Sequence, residues 1–309
     1  MAPRRGSFSE ASGVLAAVSR FYRRTYGPDY VALAGLVAAY VCIVIFVEPF
    51  HRMFSISDLA VSFPHAEAER VPVLMNVVYA GLAPLAAVAL TNCISGASAH
   101  KHHVALLGLL VGLAVTTLVT DVVKNAVGRP RPDLLARCKP AAGTPRDVLV
   151  DWTVCTETAH HLLHDGWRSF PSGHSSFSFA GLGYTALFLA GQLRVFSARG
   201  LDGGNGNDDD ATVVAERTVQ AHAGNDLGRA LLCLAPVLGA AMIAISRCQD
   251  YRHDVYDVCT GALLGSVVAY WSYRRYWPRL TSGRSDEPYP SPDGAYGRLR
   301  DVEAGRNMR

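Results

Sequence analysis

Apolar residues in this chain gather into blocks of fifteen to twenty, with short polar stretches between them. The blocks cover roughly 30–48, 72–92, 104–123, 174–193, 228–246 and 257–273. A bilayer core about 30 Å thick is crossed by about 20 helical residues, and a helix satisfies its own backbone hydrogen bonds in lipid. The pattern predicts an all-α fold, a six-span transmembrane helix bundle. Pro236 lies inside the fifth block, which a membrane helix tolerates. The first block is expected to be a span rather than a signal peptide. Nearly thirty residues precede it, and no small-residue cleavage site follows before Glu48, Pro49 and His51.

Half of the 309 residues are hydrophobic and 18% are charged, for a net charge of +3. A soluble enzyme could reach that hydrophobic fraction, but not with this distribution. In a membrane protein the placement of the cations matters more than their sum. Arg4, Arg5, Arg20, Arg23 and Arg24 precede the first block, and Arg274, Arg275 and Arg279 follow the last. Both termini are therefore expected in the cytosol, in agreement with an even number of spans. Three spans then place residues 124–173 on the lumenal or extracellular side. That loop carries Lys124, Arg129, Arg131, Arg137, Lys139, Arg146 and Arg168, where the positive-inside rule would remove cations. The excess points to a bound anion, and nothing points to a nucleic-acid partner.

Three segments lie outside the expected six-span domain of residues 30–275 or interrupt it. Residues 1–29 read as a basic cytosolic segment. The loop at about 197–227 contains LDGGNGNDDDA and reads as cytosolic and disordered, as does the tail at 276–309. His100, Lys101, His102 and His103 are read as headgroup-level residues, not as metal ligands. Cys42, Cys93, Cys233 and Cys259 lie in or at spans as packing residues. Cys138 and Cys155 share the non-cytosolic loop, where a disulfide would contribute about 3 kcal/mol. Cys248 is a possible competitor on the same side.

Three polar clusters stand at the ends of the blocks. The first is Lys124, Arg131 and Pro132, spaced K-x6-R-P. Pro130 and Pro132 force the chain out of helix, so Arg129 and Arg131 can fold back toward Lys124. Alone, this reads as a snorkelling lysine with a stop signal. The second is Pro171, Ser172, Gly173 and His174, opening the fourth block. A helix N-terminus with a close-approach glycine makes an anion cradle, and plain serine capping is the simpler alternative. The third is Ser246, Arg247, His253 and Asp257, spaced S-R-x5-H-x3-D. His253 and Asp257 are four apart and can share a helix face and hydrogen-bond, as a base and its orienter would. A surface ion pair is the bland alternative, and Asp250, Arg252 and Asp254 fit that alternative.

All three clusters fall on the same expected side, and together they form a phosphoryl-transfer set. Lys124, Arg131 and Arg247 would neutralise phosphate oxygens, with Ser172 and the Gly173 amide adding hydrogen bonds. His253 would attack phosphorus, giving a phosphohistidine. His174 would protonate the leaving group and then deprotonate the attacking water. No carboxylate cluster suited to Mg²⁺ stands on that side, so no metal or other cofactor is expected.

The trio resembles the type 2 phosphatidic acid phosphatase superfamily, in its lipid phosphate phosphatase branch. GRPRPDLLARC, DGWRSFPSGHSSFSFAG and SRCQDYRHDVYDV are most similar to the fungal diacylglycerol pyrophosphate phosphatase group. The resemblance covers about residues 30–275. It implies metal-independent dephosphorylation of phosphatidate, lysophosphatidate or diacylglycerol pyrophosphate at the non-cytosolic end of the bundle. By motif position it makes His253 the nucleophile, Asp257 its orienter and His174 the acid. Lys124, Arg131, Ser172, Gly173 and Arg247 become the phosphate binders. The chain has no Asn-x-Ser/Thr sequon, so the glycosylation of some relatives is not expected. The implied partner is a lipid phosphate in a vacuolar, endoplasmic reticulum, Golgi or plasma membrane. Sphingoid-base phosphates or polyisoprenyl diphosphates are alternative substrates, and a vanadium haloperoxidase does not suit six spans. A non-catalytic phospholipid-binding or anion-transport protein is the alternative of another class, against which His174, His253 and Asp257 weigh.

Overall fold

The computed structural model describes residues 26–197 and 208–291, without the side chains of 208–226. The chain divides into two compact units, residues 1–38 with 289–309 and residues 39–288. Long helices dominate, and no β-strand forms among the described residues; two isolated bridges pair Phe54 with Val150 and Pro140 with Cys155. The long helices are α1 (Gly27–Phe46), α2 (Val73–Ile94), α3 (Ala99–Val127), α6 (Gly173–Gln192), α7 (Asp208–Gln249) and α8 (Val255–Tyr276). Short helices α4 (Leu134–Cys138) and α5 (His160–His164) lie between α3 and α6. Helix α1 runs across the division between the units, and none of its residues is buried.

Among the described residues four helices are long and apolar enough to cross a membrane: α1, α2, α3 and the Leu227–Gln249 part of α7. The other two long helices, α6 and α8, are not among these, and they pack closely on each other. A Cβ at Gly261 would stand 2.5 Å from the Ser172 carbonyl oxygen, and one at Gly265 would stand 2.2 Å from that of Ser176. Only a missing side chain permits such approach. Helix α6 also meets α2, where a π-helical turn at Val78–Leu82 brings the Ala80 carbonyl against Gly181. Tyr184 of α6 donates to the Ala105 carbonyl of α3 at 3.0 Å. So α6 sits at the centre of the second unit.

Two segments differ from the sequence expectation. Helix α7 begins at Asp208, inside the stretch read as a disordered loop, while residues 198–207 lie outside the described residues. Part of the expected disordered tail is placed. Trp277 is fully buried, Ser285 donates to the Gly191 carbonyl at 3.2 Å, and Arg194 pairs with Asp286 at 2.8 Å. Buried aromatic and hydroxyl contacts hold it despite its polar composition. Residues 1–25 and 292–309 lie outside the described residues.

At one end of the bundle the loops form a small core of their own. Phe54, Val61, Leu134, Cys138, Val150, Leu163 and Trp167 are buried together. Cys138 and Cys155 are disulfide-bonded across 17 residues, and Cys248 is free. The Trp167 indole donates to the Arg52 carbonyl at 2.9 Å. This layer holds the segment that leads into α6.

Candidate active site

Three chain segments meet at the end of the bundle that carries this loop layer. Helix α3 brings Lys124 to its last turn and ends at Gly128, whose φ of 58° favours glycine. A Cβ there would also strike the Phe50 carbonyl oxygen. The second segment, 165–172, ends in Ser172, the N-cap of α6. The third runs from Arg247 near the end of α7 to α8, whose N-terminus is a capping box formed by Asp254 and Asp257.

Hydrogen bonds tie these segments into one unit. The Arg131 N–H donates to the Gly166 carbonyl at 2.8 Å, and the Ser169 N–H to the Arg129 carbonyl at 3.1 Å. The Ser172 N–H donates to the Asp257 carbonyl at 2.9 Å. Lys124 Nζ donates to the Arg168 carbonyl at 2.8 Å, and Arg131 Nε to the Asp165 carbonyl at 2.8 Å. Residues more than a hundred positions apart thus share one frame.

The frame encloses a cavity of about 470 Å³. Lys124, Arg131, Gly173, His174, Arg247 and His253 all line it. Ser172 is fully buried, and its Oγ accepts from the Ser175 N–H at 3.5 Å, a capping contact. Asp257 is fully buried behind His253. Lys124, Arg131 and Arg247 are each at most 8% exposed, so their charges act with little screening by water. Burial, and then the cations of Arg131, Lys124 and Arg247, push the His253 imidazole well below its ordinary 6.5. His253 is therefore a neutral ring with a free lone pair. His174 Nε2 and Arg247 Nε are buried without a hydrogen-bond partner in the protein, donors or acceptors left for a ligand.

The structure changes two details of the sequence reading. His253 precedes α8, and its Nδ1 stands 3.8 Å from Asp257 Oδ2, so the direct hydrogen bond is not made. Asp257 is held by other groups. Arg129 does not turn toward Lys124; it donates to Asp257 Oδ1 at 2.8 Å and to Asp254 Oδ2 at 2.9 Å.

Several side chains that join the cavity network carried no signal in the sequence. Glu69 accepts from Arg247 at 3.2 Å and also from Arg252. Asp165 accepts from Arg131 at 2.8 Å and from Arg137 at 3.1 Å. Burial works against the Asp165 charge, but Arg131, Lys124 and Arg168 hold its carboxyl below the usual range. Asp250 and Arg252, read as surface residues, belong to this network: Asp250 is 4% exposed and lies 3.3 Å from Arg247. Arg168 and Arg252 line the cavity beside the motif cations. The one available signal was the surplus of arginines in the loop. Among the described residues no group of three His, Cys, Asp or Glu is arranged to hold a metal ion.

Comparison with known proteins identifies the family. The profile of the PAP2 superfamily matches residues 105–280. The probable diacylglycerol pyrophosphate phosphatase 1 of Schizosaccharomyces pombe is 37% identical over 265 residues, covering 84% of this chain and 85% of that protein. Diacylglycerol pyrophosphate phosphatase 1 of Saccharomyces cerevisiae is 38% identical over 251 residues, covering 80% of this chain and 76% of that one. Lipid phosphate phosphatase 2 of Arabidopsis thaliana is 33% identical over 249 residues, covering 80% and 73%. No solved structure matches the chain. A profile that spans more than half of the chain, relatives matched over most of their length and a shared pocket for all three motifs lead to one conclusion: the chain belongs to the PAP2 superfamily.

Proposed function

We propose that the protein is a membrane lipid phosphate phosphatase that cleaves phosphate from phosphatidate, lysophosphatidate or diacylglycerol pyrophosphate. The observation that carries this reading is the cavity itself. Three buried cations and two histidines converge on one cavity, roomy enough to admit a phosphate headgroup, although the motifs that supply them are far apart in sequence. The names of the relatives favour lipid phosphates and diacylglycerol pyrophosphate as substrates.

In the proposed mechanism Lys124, Arg131 and Arg247 hold the non-bridging oxygens, and the Gly173 amide at the start of α6 adds a donor. His253 Nε2 attacks phosphorus while the P–O bond to the leaving group breaks. His174, protonated when the phosphate dianion is bound beside it, gives that oxygen its proton, leaving a phosphohistidine and a neutral His174. A water then loses a proton to His174 as its oxygen attacks phosphorus, which frees His253 and inorganic phosphate. The cations stabilise the charge on the transferring group at both steps, a task that requires no metal.

All six long helices cross the membrane in this reading, with α6 and α8 as the inner pair. In the same reading the termini lie in the cytosol and the cavity on the lumenal or extracellular side, which the basic flanks favour. Val44, Val73 and Val77 line the cavity beside the cations, so acyl chains can stay against apolar helices while the headgroup reaches His253. The test is phosphate release by purified protein from several lipid phosphates in mixed micelles with EDTA. Activity in the chelator is expected with wild type and none with His253→Ala. A requirement for Mg²⁺ would overturn the mechanism.

A further inference from the structure

Asp257 does not reach His253 directly, yet both of its carboxylate oxygens are held. Arg129 donates to Oδ1 at 2.8 Å. Ser169 Oγ donates to Oδ2 at 2.5 Å, and the Asp254 N–H donates to Oδ2 at 3.0 Å. Ser169 Oγ also stands 3.5 Å from His253 Nδ1, between the carboxylate and the ring. The hydroxyl proton goes to Asp257, so the serine presents a lone pair to Nδ1. Nδ1 must then carry the ring proton, and Nε2 is left bare.

Arg129 and Ser169 are joined to each other, because the Ser169 N–H donates to the Arg129 carbonyl at 3.1 Å. Arg129 also donates to Asp254 Oδ2 at 2.9 Å, so its guanidinium grips both acids of the α8 capping box. Ser169 is fully buried, and neither residue lines the phosphate cavity.

We infer that Arg129 and Ser169 are positioning residues: a two-sided clamp that fixes the Asp257 carboxylate and, through the Ser169 hydroxyl, sets the His253 tautomer that attacks phosphorus. The inference rests on the phosphatase reading above. Their order is Arg129 to Asp257 to Ser169 to His253, and each link is one hydrogen bond. The clamp also explains why the carboxylate and the imidazole need not touch.

The test compares wild type, Ser169→Ala, Arg129→Lys, Arg129→Gln and the Ser169→Ala/Arg129→Gln double variant on a short-chain phosphatidate in detergent micelles. Each single variant is expected to lose roughly tenfold to a hundredfold in kcat, the scale set by partners that orient site imidazoles, with KM nearly unchanged. The double variant loses little more than the worse single, because both changes release one carboxylate. The second readout is nitrogen NMR of [15N]histidine protein, with His253 assigned by comparison with His253→Ala. Wild type shows Nδ1 protonated and Nε2 bare, and Ser169→Ala mixes the tautomers. Unchanged kcat in Ser169→Ala, or an unchanged His253 tautomer with a raised KM, overturns the clamp. If Arg129→Gln does not fold, Ser169→Ala decides the matter. A wild type that releases no phosphate but shows the tautomer overturns the functional reading and leaves the clamp standing.

Discussion

Glu69 and Arg247 form an ion pair at 3.2 Å inside the cavity that the proposed mechanism assigns to the substrate's phosphate. Arg247 is 1% exposed, and its other close acid, Asp250, lies 3.3 Å away. Burial opposes the Glu69 charge, but Arg247 and Arg252 hold the carboxyl below the usual carboxylate range, so it is ionised at neutral pH. In the proposed mechanism this carboxylate competes with the phosphate for Arg247. Glu69→Gln should lower KM for a lipid phosphate by roughly threefold to tenfold, because the anion no longer displaces a charge-assisted pair. The same change should cost about 1–3 kcal/mol of stability. Steady-state kinetics with a thermal melt checks both; an unchanged or higher KM would contradict the competition.

The pH profile carries a second prediction. The neutral state of His253 persists below its ordinary 6.5 because burial and three cations oppose its protonation. The acid limb of kcat/KM, corrected for ionisation of the substrate phosphate, should therefore fall below pH 6.5. Its effect on stability has the opposite dependence from an ion-paired histidine. The unfolded chain binds a proton that the folded site refuses, so the His253 contribution is full above 6.5 and is lost as pH falls toward the depressed value. Urea midpoints of wild type and His253→Ala across that window should converge on the acid side.

Much of the architecture was legible in the sequence, for a physical reason. Lipid forces long apolar runs, and the six blocks match the positions of six long helices. The eight expected site residues stand at helix ends or in the adjoining turns, where prolines, glycines and caps announce them. Glu69, Asp165, Arg129 and Ser169 were not legible as partners, because their contacts span 34 to 178 positions. No local spacing encodes such pairing. The His253–Asp257 contact misled in the other direction: a four-residue spacing supposes a helix, and the helix begins only at Val255.

Helix packing under the site is testable at one atom. The α6–α8 contact at Gly265 leaves 2.2 Å for a Cβ against the Ser176 carbonyl, a backbone atom that cannot swing away. Gly265→Ala should separate the helices, cost roughly 1–3 kcal/mol and reduce kcat, since Ser172 is tied to Asp257 across the same contact. Folded yield in detergent and the rate per folded molecule separate the two effects.

The loop layer depends on its disulfide. Cys138–Cys155 closes 17 residues, and its loss should cost about 3 kcal/mol on chain-entropy grounds. Cys155→Ser should lower the melting temperature in the absence of reductant and abolish the effect of reductant on wild type. A melt insensitive to both would show that the Phe54–Trp167 core holds the layer alone.

The nucleophile is the centre of the account, and trapping the covalent intermediate tests it most directly. Wild type mixed with phosphorus-32-labelled phosphatidate and quenched in alkali should yield a base-stable, acid-labile label on the peptide that contains His253, and His253→Ala should yield none. Turnover with no trapped label on that peptide, or a label on another residue, would contradict it.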